Sequence, residues 1–151
     1  MRLGLGNSRQ GVLALLAGVA LALAACGGGP ASEIGPWTEV RCVDDSIACV
    51  SQRQSQLKAM LADKDRTWVR HPATADAYAG GVRLFAFKSR KRELSCAELA
   101  AGRREADAGP AVLRGPQGKH LTPAQVSRGA MLSTEISREL NGEMRRRGCP
   151  A

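Results

Sequence analysis

The residues of this chain best suited to covalent chemistry are its five cysteines, Cys26, Cys42, Cys49, Cys96 and Cys149. The last four stand among mixed apolar and charged residues, where a thiol can serve as a staple, a metal ligand or a redox centre. Four cysteines permit three pairings. The favoured one joins Cys42 to Cys49, tying a lead-in segment to the first helix, and Cys96 to Cys149, tying the start of the third helix to the end of the last. In the chain-entropy picture, closed loops of about 8 and about 54 residues stabilise by roughly 2.5 and 4 kcal/mol at the upper end. Zinc is the competing use, but no two of these cysteines stand at the close C-x₂₋₄-C spacing of a zinc site. The C-x-x-C loop that tunes a redox thiol is absent too. No metal and no cofactor is expected.

Other groups offer less. His71 stands beside Pro72 and His120 lies in a Gly/Pro-rich stretch, positions that suit solvated loop residues better than catalytic bases. No serine occupies a G-x-S-x-G turn, and no glycine-rich run follows a strand to open a helix, so no nucleophile with its base can be named. Glu98, Glu135, Glu139 and Glu143 fall on expected helices. A sugar-cleaving site needs such a carboxylic acid and usually a second carboxylate, but glycan clefts favour aromatic platforms and the whole chain has five aromatic residues. A solvated helix face is the simpler expectation. The basic residues offer more: Lys88, Arg90, Lys91 and Arg92, then Arg103 and Arg104, then Arg145, Arg146 and Arg147. The last two groups stand toward helix C-termini, where the macrodipole favours cations. Near an anionic surface each adds about 1 kcal/mol of attraction, so lipid head groups, lipopolysaccharide phosphates and cell-wall carboxylates are the candidate contacts.

The first 25 residues set the context for these groups. Arg2 and Arg9 form a positive start, and Val12 to Ala22 form an apolar stretch. This is the pattern of a secretory signal peptide, too short for the ~20 apolar residues of a membrane span. Leu23-Ala24-Ala25-Cys26 then resembles the lipobox of bacterial lipoproteins. The resemblance covers the leader alone. It implies that diacylglycerol is joined to the Cys26 thiol, that the chain is cut before Cys26, and that the new amine is often acylated. It also implies an oxidising compartment, and because residue 27 is Gly rather than Asp, an outer membrane facing the periplasm in a host with two membranes. With Cys26 lipidated, the other four cysteines form an even set suited to disulfides.

Residues 27–36 are mostly Gly, Pro, Ala and Ser, a tether whose r.m.s. span is roughly 17 Å if flexible. A domain of 37–151 remains. The chain's formal charge is +8, and loss of Arg2 and Arg9 leaves about +6. Alone, that excess points to nucleic acid, but export argues against it. With 17 Arg against 5 Lys in an Ala- and Gly-rich chain, it also fits compositional bias.

Residues 37–43 read as a short strand or extended lead-in. Asp44, Asp45 and Ser46 then offer an N-cap for a helix with Ile47, Val50, Leu57, Met60 and Leu61 on one stripe, fading near Asp63. Thr74 caps a second helix through Tyr78, Val82 and Phe85 as far as Arg92, weakened by Gly80-Gly81, with a strand at 82–87 as the alternative. Ser95-Cys96-Ala97-Glu98 has the form of a capping box, opening a third helix to about Asp107 that Gly109-Pro110 ends. A loop is expected over 109–121. Thr122-Pro123-Ala124-Gln125 opens the last helix, whose stripe is Val126, Ala130, Ser133, Ile136, Leu140 and Met144, and Gly148-Cys149-Pro150 stops it.

These patterns predict a small all-α bundle of about four helices with two disulfides. The expected role is non-enzymatic: a lipid-anchored protein that binds or braces another envelope component. A small wall-active glycan hydrolase is one alternative. A secreted inhibitor or exclusion-type interaction protein is another, although a basic inhibitor would repel a basic lysozyme.

Overall fold

A computed structural model describes residues 41–150, which fall within one compact unit. The leader at 1–25, Cys26, the tether and residues 37–40 of the expected lead-in lie outside the described residues. Every regular element among the described residues is helical. In chain order they are α1 (Ile47–Ala62), a 3-10 turn (Thr67–Arg70), α2 (Ala75–Gly80), α3 (Val82–Arg90), α4 (Cys96–Arg114), a second 3-10 turn (Pro116–Gly118) and α5 (Pro123–Arg146).

The starts are built from the expected cap residues. The Ser46 hydroxyl accepts from the Cys49 amide at 3.2 Å, and Thr74 accepts from the Ala77 amide at 3.4 Å. Ser95 and Glu98 close a reciprocal capping box at α4, and Thr122 and Gln125 close another at α5, with Pro123 in the first turn. Each box satisfies two amide donors that a helix start otherwise leaves unpaired.

The second and third helices depart from expectation. The second divides at Gly81, whose φ of +73° ends α2 and begins α3. A side chain there would be strained, and its Cβ would also lie 2.5 Å from Leu132. Residues 82–87 are helical rather than a strand, and α3 stops at Arg90, leaving Arg92 in the following turn. The third helix does not end at Gly109-Pro110 but continues to Arg114. Gly109 is a packing residue: a Cβ there would stand 2.3 Å from the Ser133 hydroxyl and 3.0 Å from the Tyr78 ring. Pro110 removes one backbone bond and crowds the preceding turn, a disruption of about 3 kcal/mol or more in a helix interior. Burial of Leu113, 1% exposed, and of half-buried Val112 on the added turn works against that loss. The loop expected over 109–121 therefore shrinks to the residues between Arg114 and Pro123.

α4 and α5 form an antiparallel hairpin with the most extensive contact in the domain. Cys96 and Cys149 are bonded across its open end, with Cα atoms 5.4 Å apart. α3 runs alongside α5 in the same direction, so Gly81 meets Leu132 and Lys88 meets Glu135 and Glu139. The core gathers Trp68, Phe87, Leu84, Leu94, Leu99, Ile136 and Leu140, all inaccessible to solvent. Trp68 and Phe87 meet edge-on with ring centres 4.8 Å apart, so few aromatics still supply a dense centre. The α5 stripe is buried as predicted, apart from half-buried Val126. The α1 stripe is shorter than predicted, because Ile47 is exposed.

Candidate functional site

Parallel α3 and α5 bring two basic segments, more than fifty residues apart in sequence, to one end of the domain. Lys88 and Arg90 occupy the last turn of α3, Lys91 and Arg92 follow it, and Arg145 and Arg146 close α5, with Arg147 as its C-cap. The Arg147 guanidinium donates to the Leu94 carbonyl, and the Cys96–Cys149 disulfide fixes the same two segments a residue or two away. This basic end lies at the C-terminal poles of both helices, where their dipoles favour positive charge.

Four of the seven cations there are already paired with carboxylates. Lys88 bridges Glu135 at 2.7 Å and Glu139 at 2.8 Å, and Lys91 reaches Glu139 at 2.5 Å. Arg90 pairs with Glu93 and also donates to the Leu61 carbonyl. Arg146 pairs with Glu143. Hydrogen bonds from Lys88 and then Lys91 hold the Glu139 carboxyl below its usual range, while Glu135 and Glu139 raise the Lys88 ammonium. Arg92, Arg145 and Arg147 are exposed and have no carboxylate partner among the described residues. They are the cations left to meet something else. Arg103 stands further along α4, 4.0 Å from Asp107, and Arg104 is exposed.

The four helix glutamates are all engaged. Glu98 completes the α4 capping box and accepts from Arg66 at 2.8 Å. Burial would raise its carboxyl, but the Arg66 guanidinium and the Ser95 amide and hydroxyl together hold it below the ordinary value. Glu135, Glu139 and Glu143 serve the lysines and arginine named above. His120 meets Asp76 at 2.5 Å, while exposed His71 contributes its carbonyl, which accepts from Arg83 at 2.6 Å.

Both disulfides pair as the sequence favours, Cys42 with Cys49 at a Cα separation of 5.3 Å and Cys96 with Cys149. Possible metal-ligand atoms of Cys42, Asp44 and Cys49 lie within 4.8 Å of one another. The two sulfurs are bonded to each other rather than present as thiolates, so the donor set does not suit zinc.

The most buried ion pair among the described residues was not anticipated. Arg83 is 3% exposed, and its guanidinium makes a two-pronged pair with Glu105 at 2.9 and 2.5 Å. It also donates to the carbonyls of Trp68 and His71. The Tyr78 hydroxyl donates to the Glu105 carbonyl at 3.0 Å. The available signal was one arginine inside the apolar run Val82 to Phe87, a charge that must find a partner if the run is buried.

At the opposite end, the Val43 carbonyl accepts from Gln125 and from Arg128, both at 3.1 Å. Arg53 gathers the carbonyls of Cys42 and Asp44. This lead-in end is where the described chain begins. Among the described residues no helix is long and apolar enough to cross a membrane. The geometry thus defines an all-α, twice-stapled domain with a basic pole. No family model, no curated protein and no solved structure matches the chain.

Proposed function

We propose that this protein is an envelope lipoprotein, cut before Cys26 and lipid-anchored there, whose helical domain binds or braces another envelope component without catalysing a reaction. Its place would be the periplasmic face of the outer membrane in a host with two membranes. The anchor rests on the lipobox residues Leu23 to Cys26. The observation that carries the contact is the convergence of Arg92, Arg145 and Arg147 on one pole, with no carboxylate to neutralise them among the described residues. Arginine presents a planar fork of donors that matches carboxylate and phosphate oxygens. Three such forks on one pole suit an anionic polymer or surface better than a buried small ligand.

The mature protein, displayed on neutral phosphatidylcholine nanodiscs, should sediment with cell wall or with anionic vesicles at low salt. It should be released near about 0.5 M salt, where screening shortens to a few ångströms. Failure to sediment with either at any salt would overturn the contact.

A further inference from the structure

Among the described residues three large hydrophobic side chains stand exposed: Ile47, Phe85 and Met131. The last two share a face. Met131 is 71% exposed, on the side of α5 opposite its buried stripe. Phe85 adjoins half-buried Leu132 at Gly81, where a Cβ would lie 2.5 Å from Leu132 and 3.5 Å from the Phe85 ring. Ala124, Ser127, Arg128, Met131, Leu132 and Glu135 line a shallow groove there. A single exposed apolar side chain is ordinary, but a contiguous apolar strip rimmed by charge marks a surface that meets another molecule.

The rim says which molecule. Arg128 and Glu135 flank the strip on α5, with side chains 47% and 57% exposed. They stand seven residues apart with Met131 and Leu132 at their midpoint, so each charge lies about 5 Å along the helix from that point. A two-fold axis through the midpoint and at right angles to α5 lays a second α5 antiparallel on the first. Arg128 of each copy then opposes Glu135 of the other, and the strip of Met131 and Leu132 meets its own copy. An isologous contact requires a surface complementary to itself under such a rotation, and this face is so in both charge and apolar character. The neighbouring groups agree: Arg128 is bonded to Asp45 and Glu135 to Lys88, so each end of the contact gathers two cations and two anions. An anionic polymer, by contrast, would be repelled by Glu135 wherever Arg128 attracted it.

We propose that this face is the interface of a homodimer, in which α5 of one copy packs antiparallel on α5 of a second copy about the midpoint of Met131 and Leu132. Antiparallel helices carry the two basic poles to opposite ends of the pair. The contact itself uses neither the anchor nor the basic pole.

The test is sedimentation equilibrium of the protein purified from the cells that make it, in a detergent matched in density to the solvent so that only protein mass is read. A concentration-dependent monomer–dimer equilibrium is expected. Met131→Lys, which sets a charge within the apolar strip, should weaken association about tenfold or more. Arg128→Glu should weaken it too, and Arg128→Glu/Glu135→Arg should recover most of the loss, a recovery that damage to the fold of one chain would not give. Arg92→Gln/Arg145→Gln, changed only at the basic pole, should associate within about twofold of the parent. In membranes, Met131→Cys should be joined to its own copy by a short thiol-reactive linker, whereas Ala111→Cys, exposed on α4, should not. A monomer at every concentration, a dimer indifferent to Met131→Lys, or cross-links from Met131→Cys only to a chain of another mass would each overturn the homodimer and leave the proposed envelope contact standing.

Discussion

Arg83 shows what a single residue can demand of the fold around it. Its guanidinium is buried and bonded on every side, to the Glu105 carboxylate and to two carbonyls. Removing one partner of a buried pair strands the other, which destabilises by about 3 kcal/mol or more, whereas replacing both by apolar groups of similar size is often nearly neutral. Glu105→Ala should therefore lower the urea midpoint by an amount equivalent to about 3 kcal/mol. Arg83→Met/Glu105→Met should recover much of the loss, and an unchanged midpoint for Glu105→Ala would show that the pair is not structural. This contact was only half legible in sequence. The arginine was conspicuous within an apolar run, but nothing local singled out Glu105, which stands 22 residues away on another helix.

Glycines make the same point with opposite signs. A Cβ at Gly102 would lie 2.5 Å from the Phe87 ring, whereas one at Gly142 would meet nothing within 4 Å. Gly102→Ala should destabilise by about 1 to 3 kcal/mol through overpacking of a buried aromatic. Gly142→Ala, in the interior of α5, should stabilise by roughly 0.5 to 1 kcal/mol because alanine loses less backbone freedom. Thermal melts of the two variants should shift in opposite directions; shifts of the same sign would contradict the packing described here.

Among elements, helix starts were easier to read than helix ends. Ser95 with Glu98 and Thr122 with Gln125 signal their helices through chemistry confined to four residues, and both capping boxes form. Ends depend on what lies alongside. Gly109-Pro110 reads locally as a stop, yet α5 and Tyr78 come close enough at Gly109 that the bare backbone is what lets the helices meet. Gly80-Gly81 reads locally as a weak spot within one helix, yet the positive φ at Gly81 makes it a joint between two. The basic pole was legible only as separate segments. That they share a pole follows from α3 and α5 running in the same direction, which no local pattern encodes. Ser95→Ala removes the hydroxyl that accepts from the Glu98 amide, so it should cost about 1 kcal/mol in the unfolding free energy. No change in unfolding would mean that the box contributes nothing.

For the molecule as a whole, the disulfides and carboxylate pairs set when the domain stays folded. The Cys96–Cys149 bond closes a long loop, with a sequence separation of 53, and the Cys42–Cys49 bond a short one, with a separation of 7. Replacing the first pair by serines should lower stability more than replacing the second, by up to roughly 4 against 2.5 kcal/mol. Equal melting temperatures would contradict that order.

Acid should act through depressed carboxyls: Glu139 beside Lys88 and Lys91, Glu98 beside Arg66, and Asp44, which the Ser46 hydroxyl and amide hold down. Such groups bind fewer protons folded than unfolded, so their contribution is complete above the ordinary carboxyl range near pH 4 and is lost as pH falls through the lowered values. Stability set by these groups should stay level from about pH 7 to 5 and decline below about pH 4. Glu139→Gln should make the acid decline shallower. A decline setting in near neutrality would point to other groups.

All of these properties belong to a domain whose proposed work depends on its anchor. The direct test of that anchor is the intact mass of the protein extracted from membranes of the cells that make it. A chain beginning at Cys26 and carrying a diacylglycerol group on its sulfur is the expected result. A chain that retains the leader, or one that begins at Cys26 with no added lipid, would contradict it.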